Sequence, residues 1–299
     1  MFQKSALGAF GSLMLSASLA SGRAITLSEQ ATCDNTLTWI PKGTIANRVS
    51  AGPESIRFGD INGDGRADYL VVDDDGSVTA YLNQAGTSDD DDVIWVPQGE
   101  IASGFGQDGS GVRFADINGD GRDDYLWVSE DGAVTAYLNQ AGESPRMTIW
   151  IPQGEIATGV GATRNQVVFA DINGDGRADY LVVGDNGDLE AWLNIDTGIW
   201  LPQGKIATGV GAAAGVRIVD VNGDGRADYL WLSETGAVTL FINVGGPDGP
   251  MWAPQGEVGT GVGSSRESVV LADINGDGRS DYLVIGEAGE VSEWQNNAC

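Results

Sequence analysis

Histidine is absent from the 299 residues, and cysteine occurs only twice. Without imidazole there is no Ser-His-Asp triad, no Cys-His dyad and no histidine-ligated zinc. Two cysteines cannot build a zinc finger. Basic residues are scarce: 16 Lys and Arg face 43 Asp and Glu, a formal net charge of −27. Such a field repels phosphate, so no nucleic-acid partner is expected. After the N-terminus no segment approaches the ~18 apolar residues of a membrane span, so none is expected. Yet 41% of the residues are hydrophobic, too many for a disordered acidic chain. A folded protein therefore carries a large excess of carboxylates, and they need a reason.

Residues 1–20 read as a secretory signal. Lys4 supplies the positive start, residues 6–19 are small and apolar, and Ser18-Leu19-Ala20 fits a small-x-small cleavage site. Residues 21–35 form a lead-in and residues 36–299 the folded domain, expected in the extracellular space. There, cysteines oxidise. Cys33 and Cys299 are expected to pair. No Asn-x-Ser/Thr sequon occurs, so N-glycosylation is not expected.

What the chain has in abundance is repetition. DINGDGRADYL starts at Asp60, and near-copies start at Asp116, Asp171, Asp220 and Asp273, at intervals of 49 to 56 residues. A Trp-x-Pro-x-Gly marker keeps pace at Trp39, Trp95, Trp150, Trp200 and Trp252, and each unit closes at Asn83, Asn139, Asn194, Asn243 or Asn296. Within a unit, short alternating or apolar runs are separated by Gly- and Asp-rich turns, with no sustained helical period. Four short strands per unit describe a propeller blade, so the fold expected is all-β: one propeller of five blades, each of four antiparallel strands. If the innermost strand of each blade is the one entering the acidic loop, the segment at Trp39 becomes the outer strand of the last blade. The N-terminal strand would close the ring, with the Cys33–Cys299 disulfide reinforcing it.

The loop Asp-x-Asn-Gly-Asp-Gly-Arg-x-Asp puts side-chain oxygens at positions 1, 3, 5 and 9 and offers a backbone carbonyl at position 7. The candidate ligands are Asp60, Asn62, Asp64, Arg66 (carbonyl) and Asp68; Asp116, Asn118, Asp120, Arg122 and Asp124; Asp171, Asn173, Asp175, Arg177 and Asp179; Asp220, Asn222, Asp224, Arg226 and Asp228; and Asp273, Asn275, Asp277, Arg279 and Asp281. Calcium takes six to eight oxygens, and a donor set free of nitrogen and sulfur favours it over zinc or copper. About five Ca2+ sites are expected. The first six positions match an EF-hand loop, but position 12 is Val71 instead of a bidentate Glu. The loop therefore joins two strands and not two helices.

A DxNGDGxxD loop between strands, five times in the chain, resembles the FG-GAP / VCBS repeat family, which includes the calcium-binding propeller blades of integrin α-subunits and secreted fungal lectins. The resemblance implies a calcium-binding β-propeller that acts as a binding module, with a glycan or an extracellular protein as partner. Lectin-like glycan binding is the leading expectation. A protein-interaction or structural module without sugar affinity is the alternative, and a carboxylate-dependent glycoside-active enzyme a second one. Catalytic carboxylates would have to break the five-fold pattern, as Glu190 and Glu293 do. No catalytic residue is assigned.

Three aromatic sets recur once per unit: the five marker tryptophans; Tyr69, Tyr125, Tyr180, Tyr229 and Tyr282; and Tyr81, Tyr137, Trp192, Phe241 and Trp294. A residue repeated at one strand position belongs first to the core, and Trp127 and Trp231 are expected there too. Ligand contacts are sought instead where the repeats diverge, in loops such as residues 105–110, 162–166, 212–215 and 264–267.

Overall fold

Alternating side chains place the strands, and Asp-Gly or Asn-Gly turns set their pairing. The computed structural model describes residues 37–47, 51–85, 93–141, 148–246 and 249–297. All belong to one compact unit, Asp34–Cys299. The expected signal segment, the lead-in and both cysteines lie outside the described residues.

Strand β1 (Trp39–Ala46) comes first. Blade 1 follows as β2 (Ile56–Gly59), β3 (Asp68–Val72), β4 (Ser77–Ala85) and β5 (Val93–Ser103). Blade 2 is β6 (Val112–Ala115), β7 (Asp124–Val128), β8 (Ala133–Ala141) and β9 (Thr148–Thr158). Blade 3 is β10 (Val167–Ala170), β11 (Asp179–Val183), β12 (Leu189–Asp196) and β13 (Ile199–Ala207). Blade 4 is β14 (Val216–Val219), β15 (Asp228–Leu232), β16 (Val238–Asn243) and β17 (Trp252–Gly259). Blade 5 holds β18 (Val269–Ala272), β19 (Asp281–Ile285) and β20 (Val291–Asn296), and its fourth strand is β1, with Trp39 opposite Asn296. The expected five blades and the closure by the N-terminal strand are both present. Sequence repeats and blades are consequently out of phase by one strand.

The core lies between blades. Ile61, Leu70, Val78 and Ala80 of blade 1 pack with Val112 and Tyr125 of blade 2. The seam where the ring closes is built alike, from Ala46, Leu283 and Val291 of blade 5 with Ile56 and Tyr69 of blade 1. The leucine of each second strand (Leu70, Leu126, Leu181, Leu230, Leu283) is fully buried, and truncating such a residue to Ala costs about 2–5 kcal/mol.

Polar groups tie the ring at the same places. Asn83 Nδ2 donates to Ala67 O in its own blade (3.2 Å) and to Ile274 O in blade 5 (2.8 Å). Asn139, Asn194, Asn243 and Asn296 repeat this, each bridging to the preceding blade. The Tyr69 hydroxyl donates to Gly289 O across the seam at 3.0 Å, as Tyr125 does to Gly76 O. The marker tryptophans do likewise: Trp95 Nε1 donates to Ile45 O at 2.7 Å. These buried donors meet carbonyls that a blade alone would leave unsatisfied.

Candidate metal loops and aromatic slots

In a four-stranded antiparallel blade, the loop after the innermost strand and the loop before the outermost one share one end. The acidic loops therefore ring one end of the propeller axis, and the diverging loops ring the other. Each acidic loop is shaped by its first aspartate. Asp60 Oδ1 accepts the Gly63 amide and Oδ2 the Gly65 amide, both at 2.7 Å. Those two glycines have φ of 77° and 84°, a left-handed conformation that a side chain would strain. Asp64 Oδ1 accepts the Arg66 amide at 3.0 Å, and Asn62 Nδ2 donates to Asp64 Oδ2 at 3.1 Å.

The ninth position is set deeper. Asp68 is fully buried, accepting the Ile61 amide at 3.0 Å and the Asn83 amide at 2.7 Å. Asp124, Asp179, Asp228 and Asp281 make the same two contacts. Burial pushes these five carboxyls up to about 7; the amide hydrogen bonds pull them back, and neighbouring carboxylates add to the rise. Burial also raises Asp60, Asp116, Asp171, Asp220 and Asp273, again against the pull of loop amides.

The loops thus present hard oxygen donors in a partly desolvated setting. The Asn62 carbonyl oxygen is buried without a hydrogen-bond partner. A carboxylate has about four acceptor sites, so two amides leave Asp68 with capacity for a cation. That chemistry fits calcium in donor type. Among the described residues no three acidic side chains converge closely enough to enclose a metal.

Sequence reasoning gave the arginine at position 7 only its carbonyl. In the fold its side chain spans to the preceding blade. Arg66 Nε donates to Asn275 O at 3.3 Å, and Arg279 Nε to Asn222 O at 3.4 Å. A Cβ added at Gly63 would lie 3.1 Å from Arg122 Cγ, and the other loops repeat that contact. All five arginine stems thus pack on the preceding loop, but Arg226 Nε donates within its own blade, to Asn243 O at 3.4 Å, and Arg177 Nε is buried without a partner.

Within the acidic loops one carboxyl departs from the repeat. Asp123 stands where the other units carry Ala67, Ala178, Ala227 and Ser280, and its Oδ2 accepts the Asp60 amide at 3.0 Å. Burial and the charges of Asp60 and Asp116 hold this carboxyl well above the usual range. It borders an axial cavity of about 350 Å³ that is also lined by Ala170, Asp171, Val219 and Ser280.

The three aromatic sets are not equivalent. The five tyrosines beginning at Tyr69 are buried, as expected. The marker tryptophans and the third set are half-buried and stand edge-on to those tyrosines: Tyr282 lies 5.8 Å from Trp39 and 6.0 Å from Trp294 between ring centroids. Trp39, Tyr282 and Trp294, with Gly261 and Val262, wall a cavity of about 190 Å³. In blade 2 the equivalent slot holds the protein's own side chain. Phe105 lies flat on Tyr137, with centroids 3.9 Å apart and planes 12° from parallel, and edge-on to Tyr125 at 5.0 Å. Phe105 comes from a diverging loop and is the one non-glycine residue at positive φ (52°) among the described residues. Val160, Val210 and Val262 take its place in later units and are exposed. The sequence signal for this plug was one aromatic among valines.

Trp127 and Trp231 pack against the inter-blade core, as expected, but at its half-buried rim. Their indole N–H groups reach out to loop carbonyls, Asp108 O (3.1 Å) and Ala212 O (3.2 Å). Glu190 is exposed opposite Lys205 on blade 3, whereas Glu293 is buried on blade 5. A whole blade separates them, so the fold does not bring this pair together. No helix among the described residues is long and apolar enough to cross a membrane.

Fold and loops together define a five-bladed propeller built from acidic-loop repeats. The sequence profile of the FG-GAP-like repeat matches residues 60–127, 116–182, 171–231 and 220–284, and the chain belongs to that family. No curated protein matches it. Among solved structures, a TcdB2-TccC3-Cdc42 complex is similar at TM-score 0.53 and 18% identity over 87% of this chain, and the Tc holotoxin pore of Photorhabdus luminescens at 0.50 and 18% over 88%. This chain spans only 15% and 14% of those chains. A lectin of Agrocybe aegerita, described as recognising non-reducing terminal N-acetylglucosamine, matches at TM-score 0.45 and 24% identity over 81% of this chain and 63% of its own.

Proposed function

We propose that the protein is a secreted, calcium-stabilised propeller that binds glycans through the aromatic slots. The observation that carries the reading is the blade 5 slot beside its plugged counterpart. Phe105 demonstrates what the slot geometry accepts, a six-membered ring laid on the third-set aromatic. Where Val262 replaces it, the Trp294 face borders a cavity of about 190 Å³, suited to one sugar ring and too small for a drug-sized ligand. Stacking of a pyranose on indole needs no charge, which suits a protein whose surface is strongly anionic. Several weak slots on one ring add up through multivalency.

In this reading calcium occupies the five acidic loops, held by the aspartates at positions 1, 5 and 9, the asparagine at position 3 and the carbonyl at position 7. Its role is to neutralise crowded carboxylates and hold the loops. The test is binding of a monosaccharide and oligosaccharide panel by calorimetry and tryptophan fluorescence, using the intact protein and Trp294→Ala. Binding that weakens in the variant supports the reading. An absence of binding to every sugar at millimolar concentration removes it and leaves the protein-interaction module.

A further inference from the structure

The slot of blade 5 differs from the others in how one of its walls is held. In blades 1 to 4 the marker tryptophan starts an outer strand that follows its partner directly in the chain. On blade 3, for example, Trp200 faces Asn194 beside the turn that puts Ile199 opposite Asp196. In blade 5 the marker is Trp39 on β1, and its partner strand β20 lies near the other end of the chain. Trp39 faces Asn296 as Trp200 faces Asn194, but no hairpin joins the two.

The two ends of β1 are held unequally. Ala46 is buried in the core where blade 5 meets blade 1, and the Ile45 carbonyl accepts the Trp95 indole N–H at 2.7 Å. At the other end the Asn297 amide donates to Thr38 O at 2.8 Å. The Trp39 side chain reaches across to blade 4, where its Nε1 donates to Val258 O at 3.2 Å. The same bond measures 2.6–2.8 Å for Trp95, Trp150, Trp200 and Trp252. Between the ends, residues 40–44 are exposed and the pairing with β20 shifts register twice. Such a segment, with few buried contacts, opens at low cost. The seam between blades 5 and 1 has bonds of its own, from Asn83 to Ile274 O and from Tyr69 to Gly289 O. The Trp39 end of β1 is therefore free to lift while the inner strands keep the ring closed.

Trp39 is also a wall of the slot. It lines the cavity of about 190 Å³ together with Tyr282 and Trp294 of blade 5 and Gly261 and Val262 of the blade 4 loop. Lifting Trp39 removes that wall. A ring lying in the slot touches β1, β20 and blade 4 together, and it has less to bind when Trp39 is away. Occupancy and seating of the strand are thus linked, each favouring the other.

We propose that the Trp39 end of β1 is a latch, and that a ring-shaped ligand in the blade 5 slot fastens it. That the natural ligand is a sugar rests on the function proposed above; the latch rests on Trp39 alone. The slots of the other blades lack this link, because hairpins hold their tryptophans.

The test is hydrogen exchange of the full chain read by mass spectrometry, in reductant so that no bond between Cys33 and Cys299 ties the strand. Peptides covering residues 37–42 and 292–297 should exchange faster than those covering the hairpin-held ends, such as residues 198–203. Val262→Phe places a phenyl ring at the position that Phe105 holds in its own unit. It should slow exchange at 37–42 and 292–297 about tenfold, the factor that one aromatic contact supplies. Val210→Phe, the same change one slot earlier, should leave those peptides unmoved. Trp39→Phe, which gives up the bond to Val258 O, should speed them, and Trp252→Phe should not. Methyl glucoside at millimolar concentration should act as Val262→Phe does. Slowing by the phenyl ring and not by the sugar keeps the latch and removes the sugar reading of this slot. Equal exchange at all five tryptophan ends, or no slowing by either ring, overturns the latch.

Discussion

A Cβ built on Gly59 would lie 2.5 Å from Asp123 Oδ2. Two departures from the repeat, one in each of two neighbouring blades, are therefore a single fitted pair. Blade 1 has Gly59 where the other blades have Ala115, Ala170, Val219 and Ala272, and the missing methyl makes room for the carboxylate. Gly59→Ala alone should destabilise by about 1–3 kcal/mol through overpacking. Adding Asp123→Ala should recover most of it. Urea unfolding of the four members of this cycle measures the coupling, and additive effects would contradict the fit.

The seam of the ring should be as strong as any other junction. Asn83 crosses it to Ile274 O, while Asn194 makes the same bond between blades 2 and 3, to Ile117 O. Replacing either with Ala orphans buried carbonyls and should cost about 2–4 kcal/mol. Equal costs are expected in chemical denaturation. A much smaller cost for Asn83→Ala would mean that the seam is already open.

Metal and proton should compete. In the metal-free protein Asp68 and its four counterparts sit at about 7, above the ordinary value near 3.9. The folded state then holds these protons more tightly than the unfolded one. Their contribution is complete below about pH 4 and is lost as pH rises through 7. With a chelator present, the melting temperature should fall between pH 5 and 7.5. With millimolar calcium it should hold or rise, because the ion replaces the proton. Calorimetry should count about five ions, and Asp171→Ala should remove one. Identical melting curves with and without calcium would sink the metal reading.

Unplugging blade 2 should create a slot. Phe105→Val copies the residue of the later units. It loses the stack on Tyr137 and should cost about 1–3 kcal/mol. If the slots bind sugar, the variant should titrate with a higher stoichiometry than the parent. Unchanged stoichiometry would place the sugar elsewhere.

Most of the fold was legible because a repeat writes the same instruction five times. Trp39 preceding the first acidic loop and Asn296 ending the last one already implied a shared strand pair. What escaped was whatever depends on which blades touch. Gly59 and Asp123 are 64 residues apart in sequence, and nothing local links them. Trp127 read as core because valines replace it, and it does pack there, but the loop carbonyl that its N–H reaches was not legible. The side chain of Arg66 had no evident target until the preceding blade was placed beside it.

The one-strand offset between repeat and blade also bears on how such a ring could change size. The segment that would be copied in a duplication is not the segment that folds. An inserted copy supplies the last strand of one sheet and the first three of the next, so it is knitted into its neighbours on both sides. Growth or loss by whole units leaves no seam to repair, and the ring can lengthen by the same step that built it.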